Sequence, residues 1–539
     1  MAASSAGAKP VSEPDITTTG DSIAITDGNK PAAGARRDWT QALSAGAPSG
    51  GVFYVTNYGA VCDGTTDDTA AVQKAINAAE AAGGGVVEFP KGTCLLNSHY
   101  PSSHPWFFYN LLVSSNVRLK GAAGSKLLQG PGGRHPLVPG ATQVRNTVLA
   151  FGRDYTVTRF QKAAYNGGFY ALKATAANHC SVTLSDPSDS SHFKVGDYVA
   201  IYKTTTGDVV PTETSQVTSL DSTTGVLGLK YPLARSFPTP SIANVTSLVT
   251  TDVGVQNLTV EGAEPLAVTE TFGFKAQNCQ FIIDTSIGGS NVLALNLNTL
   301  CDFQFIDNKF TSRGPAWAAL ELAQRNSQNG LWDGNTFTGS NTGFGEYAAH
   351  IILRNNHVWI HADPSVVAGI FIGGKDVVFT NNDVHGGNIT GGSGWGALLA
   401  DFVGPADYAS YVGQIRIANN RFDCQADGNA CLVICAADTS VTGNTINVTG
   451  NALGIHAEGP LLQANRIQDN TLSMGSGDGM LIVTPSTGGG GSVITGNKLS
   501  GSGAHGIYVN ARSASNAGGT IIASNTIAGF RTAVSIQQR

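Results

Sequence analysis

An apolar strand running into an asparagine, with another apolar residue two or three positions later, recurs through the second half of this 539-residue chain. The phrase reads Asn257-Leu-Thr-Val, Asn278-Cys-Gln-Phe, Asn308-Lys-Phe, Asn335-Thr-Phe, Asn356-His-Val, Asn382-Asp-Val, Asn420-Arg-Phe, Asn444-Thr-Ile, Asn470-Thr-Leu, Asn497-Lys-Leu and Asn525-Thr-Ile. Its steps are 21, 30, 27, 21, 26, 38, 24, 26, 27 and 28 residues. A period in the twenties marks a solenoid, whose repeats bury their apolar faces only by stacking on neighbours. Asn suits the corner because its side chain bonds local backbone, tolerates the left-handed conformation and can stack into amide ladders. Between corners the strands are short and β-branched, as in Val377-Val-Phe-Thr, Gln414-Ile-Arg-Ile and Ser492-Val-Ile-Thr. A second column precedes each corner, as in Gly369-Ile-Phe-Ile, Gly454-Ile-His-Ala and Gly506-Ile-Tyr-Val. Helical repeats would need ten-residue amphipathic runs, and the stretch has none. Two or three strands per coil predict an all-β chain, a parallel β-helix.

Composition agrees. The chain holds 67 Gly, and charged residues make up 13%, about half the globular norm. A stacked coil uses Gly at tight corners and covers its outer faces with Ser, Thr and Asn. A net charge of −6 gives no basic footprint, so no nucleic-acid partner is expected. No apolar run is long enough to span a bilayer, so no membrane partner is expected either. The opening residues Met1–Pro10 lack the basic and apolar segments of a signal peptide, although a secreted or periplasmic location is the expectation for such a chain. Cys62 and Cys94 flank one helix within bridging reach, and Cys424 and Cys431 form a second candidate pair. The alternative makes them small buried apolar residues. No paired CxxC pattern and no compact Asp/Glu nest for calcium stand out, so neither metal nor cofactor is expected.

Residues 1–50 read as a polar flexible arm or linker, 51–149 as an N-terminal cap with the first coils, 150–245 as a small β insert, and 246–539 as the main β-helix. Asp67 or Asp68 should cap a helix over roughly 67–82, which Gly83-Gly-Gly then stops. Here Tyr58-Gly-Ala, Asp63-Gly, Asp67-Asp-Thr, the helix, Gly83-Gly-Gly-Val-Val and Phe89-Pro-Lys-Gly-Thr resemble the N-terminal segment of the pectate-lyase-type β-helix superfamily. That superfamily includes polygalacturonase-like hydrolases, polysaccharide lyases and phage tailspike depolymerases. The resemblance implies a right-handed single-stranded parallel β-helix with an N-terminal capping helix, and a small antiparallel β insert fits beside it. It implies an oligo- or polysaccharide as partner and, for the tailspike branch, a homotrimer. Asp63, Asp67 and Asp68 then read as structural. The catalytic motifs of polygalacturonases are absent, and Val358-Trp-Ile-His361 lacks the Asp of a similar pectate-lyase motif, so neither catalytic set carries over.

A parallel sheet puts equivalent residues of successive coils about 4.8 Å apart, with alternate positions outward. Setting Leu320, Ile370, Leu398, Leu432, Ile455, Met480 and Ile507 in register places Ala323, Gly373, Asp401, Cys435, Glu458, Val483 and Asn510 on one outward column. Asp401 and Glu458 then stand two coils apart, the paired carboxylates that glycoside cleavage needs, with His456 beside Glu458 and Glu321 as reserve acid. Arg325, Trp332, Asp333, Glu346, Arg354, Trp359, His361 and His385 form a second group suited to stacking on pyranose rings and binding their polar substituents. Trp395, Tyr408 and Tyr411 fall in the longest excursion between corners and join it. The leading expectation is hydrolysis or glycosyl transfer by paired carboxylates. The alternatives are a lyase acting by β-elimination on a uronate polymer, and a non-catalytic glycan-binding tailspike or adhesion module.

Overall fold

The computed structural model describes residues 15–19, 22–26, 50–100, 107–135, 145–152, 169–203, 212–237, 241–245, 250–284, 295–313, 322–325, 327–339, 342–360, 370–389, 398–400, 413–426, 430–458, 465–484, 491–511 and 520–538. Two units divide the chain. Within Met1–Ala47 the strands Asp15–Thr19 and Ser22–Thr26 pair as an antiparallel hairpin. The second unit, Pro48–Arg539, is a right-handed parallel β-helix with an antiparallel insert.

Each main coil lays down strands on three faces. In one coil these are Leu398–Ala400 on the first face, Gly413–Ala418 on the second and Arg421–Ala426 on the third. The predicted register holds from Ile370 onward: Ile370 pairs with Leu398, then come Leu432, Ile455, Met480 and Ile507. It fails at Leu320. Arg325 pairs with Glu346 and Glu346 with Gly373, so Arg325, not Ala323, occupies the Gly373 rung. The strand Thr342–Arg354 lies between Leu322–Arg325 and Ile370–Thr380.

From Asn257 onward the second-to-third-face corner is two residues long, and its two positions do different work. The first takes a positive φ, at Asn355, Asn381, Asn419, Gly443, Asp469, Gly496 and Ser524, a conformation open to Gly and tolerated by Asn and Asp. The second is the ladder position. Asn444 Oδ1 accepts from the Asn420 backbone N–H and from Asn420 Nδ2, both at 2.9 Å. Asn444 Nδ2 in turn donates to Asn470 Oδ1 at 2.9 Å and to the Ile417 carbonyl at 2.8 Å. The same pattern runs from Asn308 through Asn335, Asn356, Asn382, Asn420, Asn444, Asn470 and Asn497 to Asn525. Two corners differ from the sequence expectation. Asn257 and Asn278 hold the positive-φ position, and Leu258 and Cys279 occupy the ladder column.

Inside, like stacks on like. Phe281, Phe310 and Phe337 form one aromatic column, and Trp332 lies flat on Phe305 at 4.0 Å. The helix Thr69–Ala81 covers the N-terminal end, burying Val72, Ala75, Ile76 and Ala79. Asp67 accepts from the Thr69 N–H, as a capping carboxylate should, whereas Asp68 turns back to accept from the Val61 and Cys62 N–H groups. Both candidate disulfides, Cys62–Cys94 and Cys424–Cys431, are formed.

The insert is a six-stranded antiparallel sheet within residues 169–245. It seats on the solenoid through polar contacts: Thr214 N–H to Gln328 Oε1 at 2.6 Å, Arg235 Nη2 to the Ala348 carbonyl at 2.9 Å, and Lys230 and Tyr231 to Asp302. Glu213 is buried beneath it beside Arg235, and burial pushes its carboxyl above the usual range despite that guanidinium.

The ladder yields a prediction. Asn444→Ala removes the acceptor of two buried Asn420 donors and should cost about 2–4 kcal/mol, since each stranded donor costs about 1–3 kcal/mol. Urea unfolding followed by far-UV circular dichroism measures it. A loss below about 0.5 kcal/mol would mean that the stacked backbone alone holds the coil.

Candidate functional site

Chain connectivity selects the faces open to variation. From Asn257 onward the second-to-third-face corners keep to two residues, while the links flanking the first face run over 390–397, 401–412, 459–464 and 485–490. Long connections on a rigid scaffold are where binding and catalytic groups concentrate. The first face therefore comes first.

On its strand Leu453–Glu458, Ile455 and Ala457 point into the core, and alternation turns His456 and Glu458 outward. His456 Nε2 stands 3.1 Å from Glu458 Oε2, with side-chain exposures of 16% and 34%, so the imidazole is the covered partner. Burial pushes His456 below its ordinary value, against the pull of the Glu458 carboxylate. One rung earlier lies Val433, packed with Ala430, Cys435 and Leu453 in a small apolar cluster apart from the main core. Asp401 directly follows Ala400, which pairs with Ile434, itself the partner of Ala457. Asp401 itself is outside the described residues, as are Glu321, His361, Trp395, Tyr408 and Tyr411. Arg325 and Glu346 face each other in backbone register on this same face.

The remaining predicted binding residues disperse. Trp332 is fully buried in the aromatic core, so no ligand can reach it, and its assignment to a binding group is corrected here. Asp333 and Arg354 form an ion pair on the second face, with Nη2 to Oδ2 at 2.7 Å, and Asn355 donates to the other carboxylate oxygen. Trp359 and His385 do come together, on the third face. Their rings stack at 4.0 Å with 11° between planes.

That third-face cluster includes residues the sequence reading passed over. His385 bridges two carboxylates, with Nε2 3.0 Å from Asp383 Oδ2 and Nδ1 3.3 Å from Asp423 Oδ2. Arg421 Nη2 reaches Asp423 at 2.8 Å, and Asn447 donates to Asp423 Oδ1 at 2.6 Å. Burial works to raise the Asp423 carboxyl, but the hydrogen bonds from Asn447 and Arg421 prevail and hold it below the usual value. Ligand atoms of Asp383, His385 and Asp423 lie within 4.8 Å of one another, a spacing a metal ion accepts. The arrangement nevertheless suits an ion-paired brace better. The imidazole offers its two nitrogens to opposite carboxylates, and the guanidinium already supplies positive charge. Register alone could have found the group: Trp359, His385, Asp423 and Asn447 pair in sequence along one column.

Residues 52–170 match the family model described as rhamnogalacturonase A/epimerase, pectate lyase-like. Mannuronan C5-epimerase AlgE3 of Azotobacter vinelandii is 45% identical over 71 residues, 13% of this chain and 4% of that protein. The chain thus spans only a small fraction of the length of the curated relatives it matches. Among solved structures, the surface adhesin PfbA of Streptococcus pneumoniae gives a TM-score of 0.48 at 15% identity, covering 86% of this chain and 93% of that one. The tailspike gp49 of Pseudomonas phage LKA1 gives 0.48 at 11% identity, covering 86% and 83%. The chain is a parallel β-helix, and its capping helix lies within the residues that match this pectate lyase-like family model.

The two tryptophans separate core from surface. Trp332→Ala should cost about 3–5 kcal/mol, as large buried truncations do. Trp359→Ala, half exposed, should stay within about 0.5–1 kcal/mol of the wild type. Chemical denaturation of both variants checks the contrast.

Proposed function

We propose that the protein is a carbohydrate-active enzyme that cleaves glycosidic bonds of an oligo- or polysaccharide on the outward first face. The carrying observation is the His456–Glu458 pair, a carboxylate oriented by a largely covered imidazole on a rigid strand whose following connection runs over 459–464. In this reading Asp401 is the second carboxylate. Two strand spacings, about 9–10 Å, separate the strand that precedes it, Leu398–Ala400, from that of Glu458, which suits the water of an inverting mechanism. Asp401 protonates the leaving oxygen, Glu458 takes a proton from the water, and His456 positions Glu458 by holding one of its oxygens.

A second reading is abstraction of the C5 proton of a uronate, leading to elimination or epimerisation. It is favoured by the named activity of the epimerase relatives and by the lowered pKa of His456, which leaves the imidazole neutral and able to act as a base. Arg325 and Glu346, paired in backbone register, are candidate substrate contacts in either case.

Incubation with neutral and acidic glycans separates the readings. New reducing ends without the ultraviolet absorbance of an unsaturated uronate mean hydrolysis, and that absorbance means elimination. Glu458→Gln and Asp401→Asn should each lower kcat by about a hundredfold or more, the scale of general acid–base effects, with thermal transitions unchanged. Wild-type turnover in both variants would remove the first face as the catalytic site.

A further inference from the structure

The third face presents a second feature that the chemistry of the first face does not use. Trp359 is 50% exposed, yet one face of its ring is backed by a braced partner. One face of its indole lies on His385, which is clamped between Asp383 and Asp423, and Arg421 and Asn447 fix Asp423 in turn. A half-solvated indole contributes little to stability, so bracing it this way has no packing reason. It has a binding reason: a platform whose orientation is already set loses little freedom when a ring stacks on it.

The open side of the indole is defined by register. Because His385 covers the side towards the C-terminal coils, the free face looks along the column to Thr338 and then Thr311, both small. The parallel column beside this shelf runs from Lys309 through Thr336 to His357. Charge differs between the two sides. Asp383 and Asp423 lie on the covered side, opposite Arg421 and His385. Lys309 is exposed at the far edge of the shelf, and no carboxylate among the described residues pairs with it. The open side is therefore an aromatic wall, a hydroxyl-lined floor and an unmatched cation.

We infer that this shelf is a saccharide subsite separate from the first face, taking a pyranose ring that carries an anionic substituent. The ring's C–H face packs on Trp359, its hydroxyls meet Thr338, and Lys309 meets the carboxylate or sulfate. The inference rests on the proposal that the protein acts on a saccharide polymer, but it needs no catalytic role for Glu458. The subsite would hold a stretch of polymer while another part is processed, raising the local concentration at the first face.

Immobilised oligosaccharides in three sets, neutral, uronate-bearing and sulfate-bearing, provide the test. Wild type and Glu458→Gln should bind one or both acidic sets alike, with affinity falling as salt rises. Trp359→Ala should weaken that binding by about three- to tenfold, the scale of an aromatic stacking contact. Lys309→Ala, which disturbs no described ion pair, should weaken it similarly and flatten the salt dependence. Preference between the acidic sets tells carboxylate from sulfate. Wild-type binding by both Trp359→Ala and Lys309→Ala, retention of neutral glycans only, or no binding by the wild type would each overturn the subsite. A failure of Glu458→Gln to slow turnover would count against the first-face mechanism alone.

Discussion

Everything in this molecule hangs on the asparagine ladder. A two-residue corner leaves the chain no slack, and the second residue must enter the core with its amide attached. Burying that amide is unfavourable unless its donors and acceptor are met. The ladder meets them with copies of itself: one rung's oxygen takes two donors from the preceding rung, and its nitrogen serves the next rung and a strand carbonyl. This arrangement ties each coil to both neighbours at a fixed azimuth. A slip of one residue would put every outward side chain of the third face into the core.

That fixed azimuth makes a solenoid face usable as a site. His456 and Glu458 come from one strand, but the third-face brace is built from three successive strands, Asp383 and His385, then Arg421 and Asp423, then Asn447. Its ion pairs and hydrogen bonds need adjacent rungs within a few tenths of an ångström, which pairing supplies. The insert adds a polar seat, with Glu213 and Arg235 buried together at the junction. A buried pair of this kind contributes little net stability but penalises any displaced seating, because displacement strands both charges.

Sequence period carried the architecture because the ladder is written in one residue type at nearly constant spacing. It misplaced Asn257 and Asn278 because Asn serves both corner positions, and only pairing tells the positive-φ residue from the ladder residue. It misjudged Trp332 for a related reason: strand alternation leaves in or out undecided until a neighbour such as Phe305 fixes the parity. The register slipped at Leu320 because the strand Thr342–Arg354 carries an irregularity between Phe344 and Glu346 that a fixed spacing does not reveal. Arg421 and Asp423 looked like ordinary surface charges in sequence, and they join Asp383 and His385 only when coils separated by a 38-residue step are laid side by side.

The unequal corners also bear on how such a chain can change. A residue added on the second-to-third-face corner would break one rung of the ladder and misalign the coils on either side. A residue added at 390–397 or 401–412 leaves the two-residue corners from Asn257 onward untouched. The circumference is thus split into a ruler and a margin. The ruler tolerates little drift, while the margin can lengthen, shorten or be replaced one coil at a time without renegotiating the rest of the fold. Recognition of a new glycan by this scaffold would then be an edit in the margin, and the ruler would carry it unchanged.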